Sequence, residues 1–314
     1  MAEPAVAITV DGLTKQFAGF IAVDHLHFAV AAGEIFCLVG PDGAGKTTTM
    51  RMLAGVMAPD AGTATVAGCD VVRDPEGVKN HISYMPQRFG LYEELTVDEN
   101  IRFYADLFGI GRRERELRAA QLLAAAGMAR FHDRLAGQLS GGMKQKLGLS
   151  CALIHTPRVL LLDEPTTGVD PVSRRDFWRL LYRLAAEGVT VLASTAYMDE
   201  AERCHRLALL HRGRLLLCDA PSRLKAGMPG AVVAVTTSAP AAVRDELQGM
   251  PGISSVLVVG DGTHLVVDDA ESHLPAIRAR LRAAAIPFSE VARVAPTIED
   301  LFVASVGSQD EGGS

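Results

Sequence analysis

Nearly continuous apolar runs alternate with helical patterns along the first 225 residues of the chain. Apolar runs at residues 34–39, 159–163 and 189–194 predict strands that are covered on both faces, because they lack the alternation of a half-exposed strand. A shorter strand is predicted at residues 8–10. Strands separated by helices are typical of an α/β domain with a largely parallel sheet, and we expect this domain over residues 1–225.

The pattern becomes almost wholly helical between about residues 90 and 155. Helices are predicted at residues 97–108, 112–126 and 143–154. We expect this stretch to be a helical subdomain inserted into the α/β core.

A second domain is predicted after a linker rich in helix breakers at residues 226–230. Strands are expected at residues 231–237, 254–259, 264–267 and 287–294, and helices at residues 241–248 and 272–284. This β-α-β-β-α-β order is that of a small ferredoxin-like α+β domain, which we expect over residues 229–305. Residues 306–314 are polar and glycine-rich, so a disordered tail is predicted there.

Composition excludes some classes of function. The formal net charge of -6 argues against a nucleic-acid partner, because phosphate backbones require clustered Lys and Arg. No run of about 18 apolar residues is present, so we expect the chain neither to cross nor to enter a membrane. The five cysteines form no Cys-x-x-Cys pair and are predicted to be reduced core residues in the cytoplasm.

The segment GPDGAGKTT follows a predicted strand and opens a helix, the context of a phosphate-binding loop. Its glycines let backbone amides point at phosphate oxygens, and the helix N-terminus adds partial positive charge. Lys46 is expected to neutralise the β and γ phosphates, and the Thr47 hydroxyl to bind Mg²⁺. The Asp42 side chain should point away from the phosphates, which repel it. The predicted nucleotide-binding residues here are Gly40, Pro41, Asp42, Gly43, Ala44, Gly45, Lys46, Thr47 and Thr48.

A second motif, RVLLLDEP, is an apolar strand that ends in two carboxylates. Asp163 is expected to hold Mg²⁺ through water, and Glu164 to activate the attacking water as general base. Alone, this pattern fits a solvated strand end equally well. Together with the phosphate loop it predicts a nucleoside triphosphatase site at the carboxyl end of the sheet.

The segment LSGGMKQK places Ser140, Gly141 and Gly142 at the start of a helix, as a hydroxyl and two exposed amides that could bind a second anion. By itself it could be an ordinary N-capped helix. The order phosphate loop, LSGGMKQ, LLLDEP resembles the ATPase subunits of ABC transporters over about residues 5–225. The resemblance implies ATP and Mg²⁺ as ligands, and an LSGG segment that closes over ATP bound by the opposite subunit.

Three further residues match the family residue by residue. Phe17 matches the aromatic that stacks on adenine, although a core Phe is the alternative. Gln87 matches the glutamine that touches Mg²⁺ and reports nucleotide state to the membrane subunit. Asp170 matches the loop that crosses the dimer interface, with a helix N-cap as the alternative. The segments MPQRFGLYEELTVDEN, YMDEAERC and APTIEDLF resemble the drug-exporter branch.

Ala196 departs from the family pattern, in which a histidine stands at this place and contacts the γ-phosphate. An alanine side chain cannot donate a hydrogen bond, so hydrolysis should be slowed by about 10² or more while ATP binding persists. His205 is expected to be a surface or core histidine that does not substitute.

The resemblance therefore implies an ATP-binding and hydrolysing subunit that powers an exporter through a separate ABC-2-type permease. We expect it on the cytoplasmic face of the membrane, paired with a second ATPase subunit that carries the histidine; a homodimer is the alternative assembly. A soluble ABC-family ATPase and an ATP-sensing regulatory module are the alternative functions. The resemblance implies that the permease selects the transported substrate.

Overall fold

The computed structural model describes residues 5–260 and 262–311, with side chains up to residue 306. The chain divides into two compact units, residues 1–218 and 219–314. The division lies a few residues before the linker predicted at residues 226–230. Among the described residues, no helix combines the length and the apolar character needed to cross a membrane.

The first unit contains ten strands and seven α-helices among its described residues. In chain order they are β1 Val6–Phe17, β2 Phe20–Ala31, β3 Ile35–Val39, α1 Lys46–Leu53, β4 Ala61–Val66, β5 Cys69–Asp70, α2 Pro75–His81, β6 Ile82–Met85, α3 Val97–Leu107, α4 Arg112–Ala125, α5 Gly141–Leu153, β7 Val159–Asp163, α6 Pro171–Ala186, β8 Thr190–Thr195, α7 Met198–Ala201, β9 Arg206–His211 and β10 Arg214–Asp219.

A six-stranded sheet in the order β10-β9-β3-β8-β7-β6 forms the centre of this unit. The strands from β9 to β6 pair in parallel. Every residue of β3, β7 and β8 is buried, which confirms the predicted strands covered on both faces. Because the strands are parallel, the loops after β3, β7 and β8 all leave from one edge of the sheet.

A second sheet, β2-β1-β4-β5, is antiparallel where its register is defined. The sequence predicted only residues 8–10 of its twelve-residue strand β1. The pairing of β1 with β2 shifts register at several places, including between Val10 and Leu13. Each shift interrupts the alternation of apolar and polar positions on which a strand prediction depends.

The three predicted helices between residues 90 and 155 are present as α3, α4 and α5, with ends within two residues of the prediction. Helix α3 starts with a capping box. The Thr96 Oγ1 accepts from the Glu99 amide at 3.2 Å, and the Glu99 Oε2 accepts from the Thr96 amide at 2.8 Å. These reciprocal bonds fix where the helix begins.

The second unit has the predicted β-α-β-β-α-β order between a first and a last helix. Its elements are α8 Pro221–Ala226, β11 Ala231–Thr236, α9 Pro240–Leu247, β12 Ile253–Val259, β13 Gly262–Val267, α10 Ala270–Ala283, β14 Glu290–Val294 and α11 Ile298–Glu311. The sheet order is β12-β13-β11-β14, with every neighbouring pair antiparallel. Alternate residues of β11, such as Val233 and Val235, enter a core shared with α9 and α10.

The last helix corrects the predicted tail. Helix α11 continues to Glu311, so residues 306–311 are helical, because the helix propensities of polar residues such as Gln and Glu are close to that of Ala. Residues 312–314 of the predicted tail lie outside the described residues. On the sheet side, Asp300 is buried and lies 2.9 Å from the Nδ1 of His264.

A disulfide joins Cys37 and Cys204, whose Cα atoms lie 6.1 Å apart. The expectation that all five cysteines are reduced is therefore wrong for this pair. The two residues are 167 positions apart in sequence. Parallel pairing of β3 with β9, which begins at Arg206, brings them together. Burial raises the pKa of the Cys151 thiol, so that cysteine behaves as a core residue, as predicted.

Candidate functional site

The loop after β3 has the backbone that a phosphate cradle requires. Gly43 and Gly45 adopt left-handed φ angles of 78° and 97°. A Cβ on Gly45 would lie 2.4 Å from the Ala22 carbonyl oxygen, and one on Gly40 would lie 2.3 Å from the Leu210 carbonyl oxygen. Only glycine fits at these two positions, because other parts of the backbone pack directly against them. Asp42, within the same loop, is exposed.

Lys46 begins helix α1 directly behind this loop and is 4% exposed. Its Nζ donates to the carbonyl oxygens of Gly40 and Pro41 at 2.8 and 3.0 Å. It also pairs with the Glu164 Oε1 at 3.1 Å. A single ammonium group therefore connects the phosphate loop to the predicted general base.

Asp163, at the carboxyl end of β7, accepts hydrogen bonds from three hydroxyl groups. The Thr47 Oγ1 donates to its Oδ1 at 3.1 Å and the Ser194 Oγ to the same oxygen at 2.7 Å. The Tyr84 hydroxyl donates to Oδ2 at 3.4 Å. Burial, and next the Asp163 charge, raise the pKa of Tyr84 to about 12, so its hydroxyl remains a donor at neutral pH.

The oxygens of Thr47 and Asp163 suit the metal predicted from the sequence. A hydroxyl and a carboxylate within 3.1 Å of each other form a hard oxygen donor set, which Mg²⁺ prefers. Sequence reasoning missed Tyr84 and Ser194 as partners of Asp163. They lie 79 and 31 positions away, so only the sheet order could have identified them.

Glu164 follows with a left-handed φ of 48°, a conformation that is rare outside glycine and common at functional sites. Its Oε2 accepts from the Gln87 Nε2 at 3.0 Å and from the Thr167 Oγ1 at 3.3 Å. Its backbone N–H donates to the Ser194 Oγ at 2.9 Å. The glutamine predicted from the family match thus reaches the predicted general base.

Ala196 follows the last residue of β8, at the edge of the sheet that carries the phosphate loop. Thr195 pairs with Val39, and its carbonyl accepts from the Gly40 amide at 3.3 Å. His205 lies at the opposite end of β3, where its Nδ1 accepts from the Ile35 amide at 3.0 Å. His205 therefore has a structural role at the wrong end of the strand and does not replace the missing histidine.

The LSGG segment starts helix α5. Ser140 is its N-cap, and the Ser140 Oγ accepts from the Met143 amide at 3.3 Å. Ser140 and Gly141 are exposed, as expected, but Gly142 is buried. A Cβ on Gly142 would lie 2.4 Å from the Cβ of Ser173, so this glycine allows α5 and α6 to pack closely. The expectation of an exposed amide at Gly142 was wrong.

Asp170 and Phe17 are both accessible. Asp170 caps α6 by accepting from the amides of Val172 and Ser173 at 3.1 and 2.9 Å, and the bond from Ser173 lowers the pKa of its carboxyl group. The N-cap alternative is therefore confirmed, and a role at a dimer interface stays a prediction. Phe17 is 43% exposed near the end of β1, so it is not the core phenylalanine of the alternative interpretation.

Comparisons with known proteins agree with this geometry. The family model described as ABC transporter matches residues 23–167. The chain is 44% identical over 305 residues to a probable multidrug ABC transporter ATP-binding protein, YbhF, of Escherichia coli, covering 96% of this chain and 52% of the relative. It is 38% identical to the Nod factor export ATP-binding protein I of Paraburkholderia xenovorans, covering 98% of this chain and 99% of the relative. The chain thus spans about half the length of YbhF and nearly all of the second relative.

A third relative is the daunorubicin resistance ATP-binding protein DrrA2 of Streptomyces coeruleorubidus. It is 34% identical, and the match covers 97% of this chain and 96% of the relative. Among solved structures, an ATP-binding subunit of an ABC transporter matches with a TM-score of 0.63 and 30% identity, covering 70% of this chain and 92% of that one. CbiO1 of Clostridium perfringens matches in fold, with a TM-score of 0.66 at 22% identity, over 79% of this chain and 96% of that one. The chain belongs to the family of ABC transporter ATP-binding proteins.

Proposed function

We propose that this chain binds and hydrolyses ATP and powers an exporter through a separate integral-membrane permease of the ABC-2 type. The observation that carries the proposal is the convergence of Lys46, Thr47, Asp163, Glu164 and Gln87 at one edge of the parallel sheet. These side-chain types suit a nucleotide site, and the distances between the side chains assign a role to each residue. The exporter function is supported by the relatives, which are named for multidrug transport, Nod factor export and daunorubicin resistance.

The residues of the site divide the work between binding and proton transfer. The amides of the phosphate loop and Lys46 would bind the phosphates, and Thr47 and Asp163 would hold Mg²⁺. Bound Mg²⁺ would neutralise charge that develops on the phosphate oxygens. Glu164 accepts the proton of the attacking water, and Gln87 orients the Glu164 carboxylate.

Ala196 makes this chain's own site slow and favours pairing with a second, different ATPase unit. Its side chain cannot bridge the γ-phosphate, the water and Glu164. Exposed Ser140 and Gly141 are available to complete the site of a partner. The chain matches only 52% of YbhF, which leaves room in that relative for a second unit of similar length. A homodimer is the alternative assembly, and an ATP-sensing module with slow hydrolysis is the alternative function.

The partners of this proposal are proteins rather than nucleic acid, consistent with the net charge of -6. The chain would lie on the cytoplasmic side of the membrane, held there by the permease. Phe17 would stack on adenine, and Asp170 would lie at the interface between the two ATPase units. The transported substrate would be selected by the permease.

Affinity purification from detergent-solubilised membranes of the native host tests the assembly. We expect the tagged chain to bring down an integral-membrane protein and a second ATP-binding chain. The variant Glu164→Gln with Mg-ATP should increase the amount of the second chain, because hydrolysis no longer reopens the pair. Recovery of the tagged chain alone, with or without ATP, would count against both the exporter function and the shared site.

A further inference from the structure

Glu200 is a buried carboxylate beside the site that the proposed mechanism does not use. It lies in the short helix α7, four residues after Ala196, and is 0% exposed. Its Oε1 accepts from the Thr166 Oγ1 at 2.6 Å, and its Oε2 accepts from the Thr195 Oγ1 at 2.8 Å. Arg174, near the start of α6, places its Nε 3.4 Å from Oε1. Burying a charged carboxylate this deeply costs desolvation free energy, which the hydrogen bonds to both oxygens partly offset. An apolar residue would avoid that cost, so the carboxylate indicates a functional role.

The two threonines belong to the two segments that frame the reaction. Thr166 is in the turn after Glu164, where the Thr167 amide donates to the Glu164 carbonyl at 3.2 Å. Thr195 is the last residue of β8, and its carbonyl accepts from the first amide of the phosphate loop. One carboxylate therefore bridges the turn of the general base and the strand end that supports the phosphate loop.

The third partner extends this bridge to α6. Arg174 lies four residues after Asp170, and its guanidinium carbon is 4.3 Å from the ring centroid of Tyr197. Its NH1 also lies 3.6 Å from the Asp199 Oδ2. Arg174 thus contacts two residues, Tyr197 and Asp199, of the segment between Ala196 and Glu200. The charge of Glu200 is balanced by a residue of the helix that Asp170 caps.

We infer that Glu200 is a positioning residue for hydrolysis, holding the Glu164 turn at a fixed distance from the phosphate loop through Thr166 and Thr195. This inference rests on the proposed function. The Ala196 side chain cannot connect the general base to the nucleotide. The hydrogen bonds of Glu200 to the two threonines therefore hold Glu164 in position. Glu200 does not touch the reacting atoms; it acts only through the two threonines.

A second buried pair in the same unit provides a matched control. Glu34 is 8% exposed, accepts from the Ala31 amide at 2.8 Å and lies 3.4 Å from Arg206. Arg206 in turn lies over the ring of Phe36, with 5.4 Å to the centroid. This pair has the same chemistry as Glu200 with Arg174 and Tyr197. Glu34 precedes β3 and Arg206 begins the parallel strand β9, so the pair lies at the edge away from the phosphate loop. Thr190, 2% exposed at the start of β8, is the matching buried threonine.

The test compares Thr166→Val and Glu200→Gln with the controls Thr190→Val and Glu34→Gln. In single-turnover Mg-ATP hydrolysis we expect Thr166→Val and Glu200→Gln to lower the rate by about tenfold or more, with the ATP dissociation constant within about twofold of wild type. The double variant should lose less than the product of the two single effects, because both changes break one connection. Rates within about twofold of those of the control variants would overturn the inference, as would equal losses of rate and ATP affinity.

Hydrogen exchange separates this inference from the proposed function. Glu200→Gln should speed exchange of the amides at residues 164–170 relative to Glu34→Gln, whether or not the protein turns over ATP. Unchanged exchange in this segment would overturn the positioning role. If Glu200→Gln exchanges faster but the wild-type protein does not hydrolyse ATP, the proposed function is refuted and the positioning role is not. If Glu200→Gln does not fold, Thr166→Val decides both measurements, because it removes a single hydroxyl.

Discussion

The ion pair between Lys46 and Glu164 should dominate the stability of the ATP-free site. The two charges are 3.1 Å apart, with side chains 4% and 10% exposed. Their attraction is about 5 kcal/mol at an effective dielectric of 20. Replacing Lys46 with Met leaves the Glu164 carboxylate buried without its cation. Removal of one partner of a buried pair typically costs about 3 kcal/mol or more of unfolding free energy.

The opposite change should cost less. In Glu164→Gln the ammonium group keeps the carbonyl oxygens of Gly40 and Pro41 as acceptors, so we expect a loss of roughly 1 kcal/mol. Urea unfolding of wild type, the two variants and the double variant measures these values. The double variant should be more stable than the sum of the single losses implies, because the lone carboxylate is no longer present.

Mg-ATP and an exposed pair supply the controls. At 100 times its dissociation constant, ATP should stabilise Glu164→Gln by about 2.7 kcal/mol, as it does any protein whose native state alone binds the ligand. Lys46→Met should gain almost nothing. Lys79→Met breaks an exposed pair with Glu76 and should change stability by less than about 1 kcal/mol. A Lys46→Met protein as stable as wild type, or one stabilised equally by ATP, would refute the reasoning.

Three further predictions concern other parts of the chain. The hydrogen bond with Asp300 raises the pKa of His264 above its usual 6.5, so the pair should stabilise the second unit below pH 6.5 and weaken as the pH rises through the folded pKa. Between pH 6 and pH 9 the urea midpoint should therefore fall less in His264→Gln than in wild type. Equal falls in the two proteins would contradict this prediction. Hydrogen bonds from His264 and Thr297 outweigh burial and lower the pKa of Asp300, so acid weakens the pair only below the usual 3.8. Thiol titration of the denatured chain should count three groups before reduction and five after it; five before reduction would exclude the bond between Cys37 and Cys204. Truncation after residue 228 should leave ATP affinity unchanged, and its loss in a folded truncation would show that the domain limits are misplaced.

The core of the fold could be predicted where one local signal suffices. The strands β3, β7 and β8 are continuous apolar runs because both faces are covered. Helix α11 and most of β1 were missed for local reasons, a polar helix end in one and register shifts in the other. The phosphate loop was identified because its spacing of glycines and Lys46 encodes a local backbone shape.

Contacts between distant segments could not be read from the sequence. Tyr84 and Ser194 reach Asp163 only because β6 and β8 flank β7. Thr166 meets Glu200 across 34 positions, and Cys37 meets Cys204 across 167. Such pairs depend on strand order, which neither composition nor periodicity specifies. Gly142 shows the same limit, since its burial is imposed by Ser173 on another helix.

The most direct test of the central claim is Mg-ATP hydrolysis by wild type beside Ala196→His, with ATP binding measured in both. We predict that both proteins bind ATP with similar affinity and that Ala196→His turns over at least about tenfold faster, because the added imidazole orients the water and Glu164. The double variant Ala196→His with Glu164→Gln should remain slow, which shows that the gain passes through the general base. Wild-type turnover as fast as that of Ala196→His would contradict the account of a slow site that depends on a partner.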